Sequence, residues 1–376
     1  MTMPRFMIPD LPSADELLPY LRRIDTARWY TNFGPLVCEF EEKLQAYLSV
    51  KDPFPQAGPI ALTTLASCHQ ALVIGMRLLR LRPGATVLVP CVTFPSSAFA
   101  IEEAGATPLF ADIDPVSWTL TPAIARAIAS RRKIDAVMPV AVYGVPVEGW
   151  DTFSRETGIP VLIDAAAALE AQPVPERCIV AYSMHATKPF GIGEGGILAA
   201  RDPAFILAAR QMSNFSTQNR IAMDCGTNAK LSEYHGAVAL AQFARWQGIK
   251  QRRRRVLDFY IAALEDHGLA SGLQKDVTRA VTSSLMLKLD RPEAQHLIDA
   301  LDAQGIPAHR SYWPPLPHHP HFANVEKADA LPHAEALNNA IIGLPFHGFM
   351  REEEVEQIVG LVAEERAALP RQQKTG

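Results

Sequence analysis

Between residues 60 and 200 the chain alternates short apolar runs with helix-length stretches whose apolar positions recur every three or four residues. The runs ATVLVP (85–90), ATPLFADID (106–114), KIDAVMPVAVYG (133–144), IPVLIDAA (159–166) and CIVAYS (178–183) predict buried strands. Between them, HQALVIGMRLLRL, SSAFAIEEAG, TPAIARAIASRR and DTFSRETG predict helices that end near a glycine or a basic last turn. This β-α rhythm predicts a mainly parallel sheet covered by helices on both faces. Such sheets hold ligands beyond the carboxyl ends of their strands.

The pattern changes after about residue 230. LSEYHGAVALAQFARWQGIKQRRRRVLDFYIAALEDHG predicts one long helical stretch. It leads into TSSLMLKLDRPEAQHLIDALDAQGIPAHRSYWPPLP, which reads as strand, helix, strand and proline-rich loop, and then into two helices around an LPFH strand or turn. The expected fold class is α/β, with a large domain over residues 1–245 and a smaller C-terminal α+β domain over 246–376. The tail PRQQKTG is expected to be disordered.

Composition narrows the function classes. With 376 residues, 48% of them hydrophobic, the chain can bury a sizeable core. A formal charge of −4 leaves no basic footprint for nucleic acid. The one basic run, Arg252 to Arg255, spreads around a helix and is expected to belong to a solvated or salt-bridged linker helix. No apolar stretch reaches the length of a membrane span, and MTMPRFMIPDLPSADELL lacks the apolar centre of a signal peptide, so a cytoplasmic protein is expected. Five scattered cysteines without C-x-x-C spacing argue against a disulfide framework or a structural zinc site.

Chemistry concentrates in YSMHATKPFGIGEGGIL (182–198), where Lys188 stands between an apolar approach and a cluster of glycines. Gly191, Gly193 and Gly196 satisfy G-x-G-x-x-G, but they run into the strand-like ILAAR, with no helix and no suitably placed acid, which excludes a dinucleotide fingerprint. Asp164 ends the run IPVLID, so its carboxylate emerges where ligands bind; it can equally cap the next helix. ASCHQALVIGMRLL (66–79) opens a helix with small polar residues, which suits a phosphate or an ordinary N-cap by Ser67. Lysine, strand-end acid and helix N-terminus together are the set that pyridoxal 5′-phosphate requires for a Schiff base, a ring-nitrogen partner and a phosphate seat.

The chain resembles the DegT/DnrJ/EryC1/StrS family of pyridoxal-phosphate-dependent sugar aminotransferases, of the fold-type I architecture. The resemblance runs through YTNFGPLVCEFEEKLQAYL, VTFPSSAFAIEEAGATPLFADID, LIDAAAALEA, YSMHATKPFGIGEGGIL, GTNAKLSEYHGAVAL and GLPFHGFMREEEVEQIV. It implies that Lys188 forms the Schiff base and shuttles the proton, and that Asp164 keeps the ring nitrogen protonated. Phe94 would stack on the ring, Ser67, Cys68 and Ser183 would surround the phosphate, and Asn228 would reach the site of a neighbouring subunit in a homodimer. Tyr312, Tyr30 and Phe33 would lie by the substrate.

L-glutamate would be the donor, and a nucleotide-linked 4-keto-6-deoxyhexose the acceptor, in a ping-pong reaction. A cyclitol or non-sugar ketone, or a regulatory homologue without catalysis, are the alternatives. Relatives that dehydrate sugars carry histidine in place of the lysine, and Lys188 counts against that chemistry.

Three positions depart from the family pattern. Ser67-Cys68-His69 replaces Ser-Gly-Thr, Ala167 replaces a Gln or His near the cofactor's phenolic oxygen, and N-A-K with Lys230 replaces N-Y-R. His185 reads as a packed, hydrogen-bonded residue. The prolines in PHHPHF (317–322) break the spacing a metal site needs, and no metal is expected.

Overall fold

The computed structural model describes residues 5–368, and the tail expected to be disordered lies outside the described residues. Seven strands form the main sheet: β1 (Ala61–Leu65), β2 (Thr86–Pro90), β3 (Thr107–Ala111), β4 (Ala136–Val137), β5 (Val161–Asp164), β6 (Cys178–Ser183) and β7 (Gly196–Ala200). Their order is β1-β7-β6-β5-β4-β2-β3. Strands β2 to β6 pair in parallel, and β7 runs antiparallel to both β1 and β6. The chain is thus α/β with a mainly parallel sheet, as the alternating runs predict.

Successive side chains of a strand point to opposite faces. In β5, Val161 and Ile163 join one apolar cluster while Leu162 joins the other. Helices α1 (Ala14–Ala27), α2 (Pro35–Val50), α3 (Cys68–Leu78), α4 (Pro95–Glu103), α5 (Pro122–Ala129), α6 (Trp150–Thr157) and α7 (Pro203–Met212) cover the two faces. Strand β1 is absent from the sequence reading because ALTTL is not an apolar run. Its buried Thr63 and Thr64 hydroxyls are satisfied instead by Glu41, at 3.2 and 2.8 Å. KIDAVMPVAVYG yields only two strand residues, because Pro139 has no N–H to continue the ladder. The chain beyond it turns to form a wall of the cavity described below.

Two short strands, β8 (Thr217–Gln218) and β9 (Ile221–Ala222), make an exposed hairpin. Helix α8 (Glu233–Asp266) then runs for 34 residues, unbroken through residue 245. Its first half packs Leu240, Trp246 and Ile249 against one face of the sheet; its second half packs Val256, Leu257, Tyr260 and Leu264 into a third apolar cluster. That cluster is completed by β10 (Leu285–Lys288), α9 (Ala294–Ala303), β11 (Ile341–Leu344) and α11 (Glu352–Ala368), with β10 and β11 antiparallel. Helix α10 (Pro332–Ala340) leads into β11.

Two expectations differ here. IPAHR makes a single bridge, His309 to Gly343, rather than a strand. Of LPFH, read as a strand or turn, only Leu344 is strand: the strand lies earlier, at 341–344, and stops before Pro345. The arginine run lies on a salt-bridged helix, as expected: Arg252 pairs with Asp10 at 2.7 Å and Arg254 with Asp258 at 2.8 Å, while Arg253 turns inward at 2% exposure and donates to the carbonyl of Thr282. Among the described residues no helix is long and apolar enough to cross a membrane.

Candidate active site

The carboxyl ends of β5 and β6, the loop after β4, and the first turns of α3 and α4 enclose a cavity of about 390 Å³. Asp164 closes β5 and stands in it at 4% exposure. Its Oδ2 accepts from Ser97 Oγ at 2.7 Å, and its Oδ1 from the backbone N–H of Ala166 at 3.0 Å. Ser97 Oγ lies in turn 2.8 Å from Thr93 Oγ1. Burial holds the Asp164 carboxyl above the usual carboxylate range; Ser97, the Ala166 N–H, Lys188 and His69 each pull it back down. Asp164 makes no ion pair among the described residues, so the buried acid faces the cavity without a cationic partner in contact.

Lys188 lies in the loop between β6 and β7. Backbone bonds close this loop on itself: Met184 N to Gly195 O, Ala186 N to Gly193 O and Ile192 N to Met184 O, each 2.8 Å. Gly191 permits the closure, since a Cβ there would meet the Ala186 carbonyl oxygen at 2.6 Å. Gly196 lets β7 approach the start of α3, where a Cβ would meet Ser67 O at 2.3 Å. Two of the glycines that mimic a dinucleotide motif thus serve close backbone approach, and the third, Gly193, takes a positive φ of 103°. The Lys188 side chain is half-buried, lines the cavity, and makes no hydrogen bond or ion pair among the described residues.

At the start of α3, Ser67 lines the cavity and also caps the helix, accepting from Gln70 N at 3.1 Å. The capping reading of this serine therefore holds, and the residue stands at the cavity as well. Cys68 is buried, and burial pushes its thiol well up. His69 neither faces solvent alone nor presents a free imidazole: Nδ1 lies 2.8 Å from Ser96 Oγ and Nε2 2.9 Å from Glu103 Oε1. Ser183, at the end of β6, accepts from the His185 N–H at 3.1 Å and lines the cavity. Phe94 is 62% exposed although it is a large apolar side chain at the cavity wall, an arrangement suited to a flat ring laid against it.

Tyr312 also lines the cavity and stacks on Tyr143, with ring centroids 5.2 Å apart. Ala167 lines it with a methyl group. His185 is held by Thr187 at 2.8 Å, with Glu194 3.7 Å from its other nitrogen.

Three candidates stand apart from this cavity. Asn228 is exposed and accepts from Lys230 Nζ at 2.6 Å. Tyr30 packs beside Tyr234, and Phe33 lies under the Arg210 guanidinium at 3.8 Å. In PHHPHF each imidazole has its own partner: His318 meets Glu335, His321 meets Glu102 and His319 meets the Pro314 carbonyl. Thr93, Ser96, Ser97, Glu103 and Glu194 were not singled out by the sequence. Ser96, Ser97 and Glu103 have partners on other elements, and only the SS pair after Phe94 hints at hydroxyls here.

A buried acid with no ion pair and a half-buried amine with no hydrogen bond or ion pair among the described residues, together with an exposed aromatic face and a helix N-terminus, fit pyridoxal phosphate. The comparisons agree with that fit. Residues 13–363 match the model of the DegT/DnrJ/EryC1/StrS aminotransferase family. Protein Rv3402c of Mycobacterium tuberculosis is 30% identical, over 96% of this chain and 90% of its own. A UDP-N-acetyl-3-dehydro-alpha-D-glucosamine 3-aminotransferase of Acidithiobacillus ferrooxidans is 29% identical, over 79% of this chain and 82% of its own. A crystal structure from Bacillus cereus, described as a PLP-dependent aminotransferase, superposes with a TM-score of 0.87 at 27% identity, covering 96% of this chain and 99% of that one. The family match across nearly the whole length agrees with the sheet order and the cavity at its strand ends: the chain belongs to the DegT/DnrJ/EryC1/StrS family of fold-type I, pyridoxal-phosphate-dependent aminotransferases.

Proposed function

We propose that this protein moves an amino group from L-glutamate to the ketone of a nucleotide-linked sugar, with a 4-keto-6-deoxyhexose as the expected acceptor. The observation that carries the reading is the unpartnered Lys188 amine sharing one cavity with the buried carboxylate of Asp164. Bound there, pyridoxal phosphate supplies an aldehyde that condenses with amines and a ring that withdraws electrons from the adjoining carbon.

The chain's residues divide the remaining work. Asp164 holds a proton on a ring nitrogen, and a positive charge beside it relieves the burial of its own charge. Lys188 anchors the cofactor and, once released, carries a proton at Nζ in both halves of the reaction. Phe94 covers one face of the ring and excludes water from it. Ser183 and the first N–H groups of α3 hold the anionic group, where the helix dipole favours negative charge. Donor and acceptor enter the same cavity in turn, which makes the kinetics ping-pong.

Asn228 sits on an exposed segment beside the β8–β9 hairpin, with Phe215, Ile221 and Met223 also exposed. This supports its contributing to a second copy's cavity in a homodimer, with Tyr30 and Phe33 serving across the same contact. The relatives' sugar-nucleotide activities support the acceptor class.

The test supplies pyridoxal phosphate and L-glutamate to purified protein, follows 2-oxoglutarate release, and then adds nucleotide-linked sugars with the ketone at C3 or C4. Aminated sugar from one of them, seen by mass spectrometry, sustains the reading. Release of 2-oxoglutarate without amination of any sugar rejects the acceptor class. No release at all rejects the aminotransferase.

A further inference from the structure

We propose that Glu103, His69 and Ser96 form a proton-linked clasp for the anionic group of the cofactor. When that group binds, His69 takes up a proton, and the Ser96 hydroxyl turns from the imidazole towards the anion. The inference rests on the cofactor proposed above and concerns residues that depart from the family pattern.

The argument follows the hydrogens. Glu103 Oε1, 2.9 Å from Nε2, is a carboxylate oxygen and can only accept, so the single proton of a neutral ring sits on Nε2. Nδ1 is then a bare acceptor, and the Ser96 hydroxyl 2.8 Å away must donate to it. In that state Ser96 offers the cavity only lone pairs, which repel an anion. A proton taken from solvent onto Nδ1 reverses the bond: Nδ1–H donates to Ser96 Oγ, and the hydroxyl hydrogen is free to point at the anion. No covalent bond breaks elsewhere, and the charge of the wall rises by one. His69 and Ser96 both line the cavity, at the openings of α3 and α4, beside Ser67.

The surrounding charges act on the same equilibrium. Glu103 on α4 bonds to Nε2, and Asp164 on β5 and Lys188 in the β6–β7 loop line the same cavity. Arg77, one helix surface further on, donates to the Glu103 carbonyl at 3.2 Å, and His185 and Glu194 face the cavity from the β6–β7 loop. An incoming dianion shifts the balance towards the cation. The hydroxyl lost where His69 replaces the family's threonine is thereby supplied by Ser96 from the neighbouring helix.

The test uses pyridoxamine 5′-phosphate, which has no aldehyde to react with Lys188. It is titrated calorimetrically into wild type, His69→Gln and Glu103→Gln near neutral pH, in buffers of different ionisation enthalpy, with unphosphorylated pyridoxamine as control. Wild type is expected to take up about half a proton or more beyond His69→Gln, a difference that pyridoxamine does not produce. Glu103→Gln, altered at a partly exposed side chain that leaves the core intact, should lose most of that uptake and bind the phosphate form about three- to tenfold more weakly. Equal uptake by wild type and His69→Gln overturns the clasp, as does the same difference with pyridoxamine. Failure of wild type to bind pyridoxamine 5′-phosphate overturns the cofactor assignment itself.

Discussion

Ser97 donates its hydroxyl to Asp164 at 2.7 Å, binding the opening of α4 to the end of β5 through a buried acid. Ser97→Ala removes one of the two donors to that carboxylate. A hydrogen bond to a charged group contributes about 1.5–3 kcal/mol, so the affinity for pyridoxal phosphate should fall roughly 10- to 100-fold. A spectroscopic titration of cofactor binding checks this, and unchanged affinity would show that Ala166 N–H alone suffices.

Asp164→Asn should separate stability from chemistry. The folded pKa of Asp164 is raised by burial, so its contribution to stability is full below the unfolded value of about 3.9 and is lost as pH rises through the folded one. At neutral pH the buried acid therefore contributes less to the stability of the cofactor-free protein than it does in acid. The asparagine variant without cofactor should melt higher than wild type near neutral pH, by on the order of 2–4 °C for each kcal/mol relieved, and not in acid. Its transfer activity should collapse; a variant that melts lower at neutral pH would contradict the argument.

Lys188→Ala removes an amine that makes no hydrogen bond or ion pair among the described residues. The melting temperature should move little, since such changes fall within about ±0.5 kcal/mol. Release of 2-oxoglutarate from L-glutamate should drop by about 10²- to 10⁴-fold or more, the range of a lost acid–base group. Thermal melting and a single-turnover assay on the same preparation read both effects.

Phe94→Ala deletes an aromatic side chain that is mostly exposed, so the fold should not weaken while the cofactor is held less tightly. The measurement is the dissociation constant for pyridoxal phosphate beside the melting temperature. A large fall in both would mean that Phe94 packs the core rather than facing a ligand.

Gly196→Ala pushes a methyl group against Ser67 O and Cys68 N, at 2.3 and 2.5 Å. Either β7 or the first turn of α3 must shift, with a loss of about 1–3 kcal/mol typical of overpacking. Chemical denaturation should show that loss, and cofactor affinity should fall with it because the N–H groups of α3 move.

The parts of this fold legible in the sequence are those in which one local pattern decides the outcome. CIVAYS and IPVLID are buried along their strands and polar at their last residue because the strands are covered on both faces and end at the cavity, and both lie as the runs predict. Asp164 and Lys188 were legible because strand ends and glycine-bounded loops put side chains into cavities. Relations between distant segments leave no such trace. Strand β1 is hidden by threonines whose hydroxyls answer to Glu41, 22 and 23 residues away. The setting of His69 depends on Ser96 and Glu103, 27 and 34 residues on. The wall formed after Pro139 reads as strand until the missing N–H is counted.

Helix α8 is one rod of about 50 Å at 1.5 Å per residue, and it is buried at both ends in different apolar clusters. Melting either cluster strips one half of that rod of its cover, and half a helix does not hold its shape in water unaided. The two regions of the chain are therefore expected to unfold in a single cooperative step. Cutting the chain near residue 245 would then yield two fragments that each expose the surface the other had hidden, and neither would be a working piece of the enzyme.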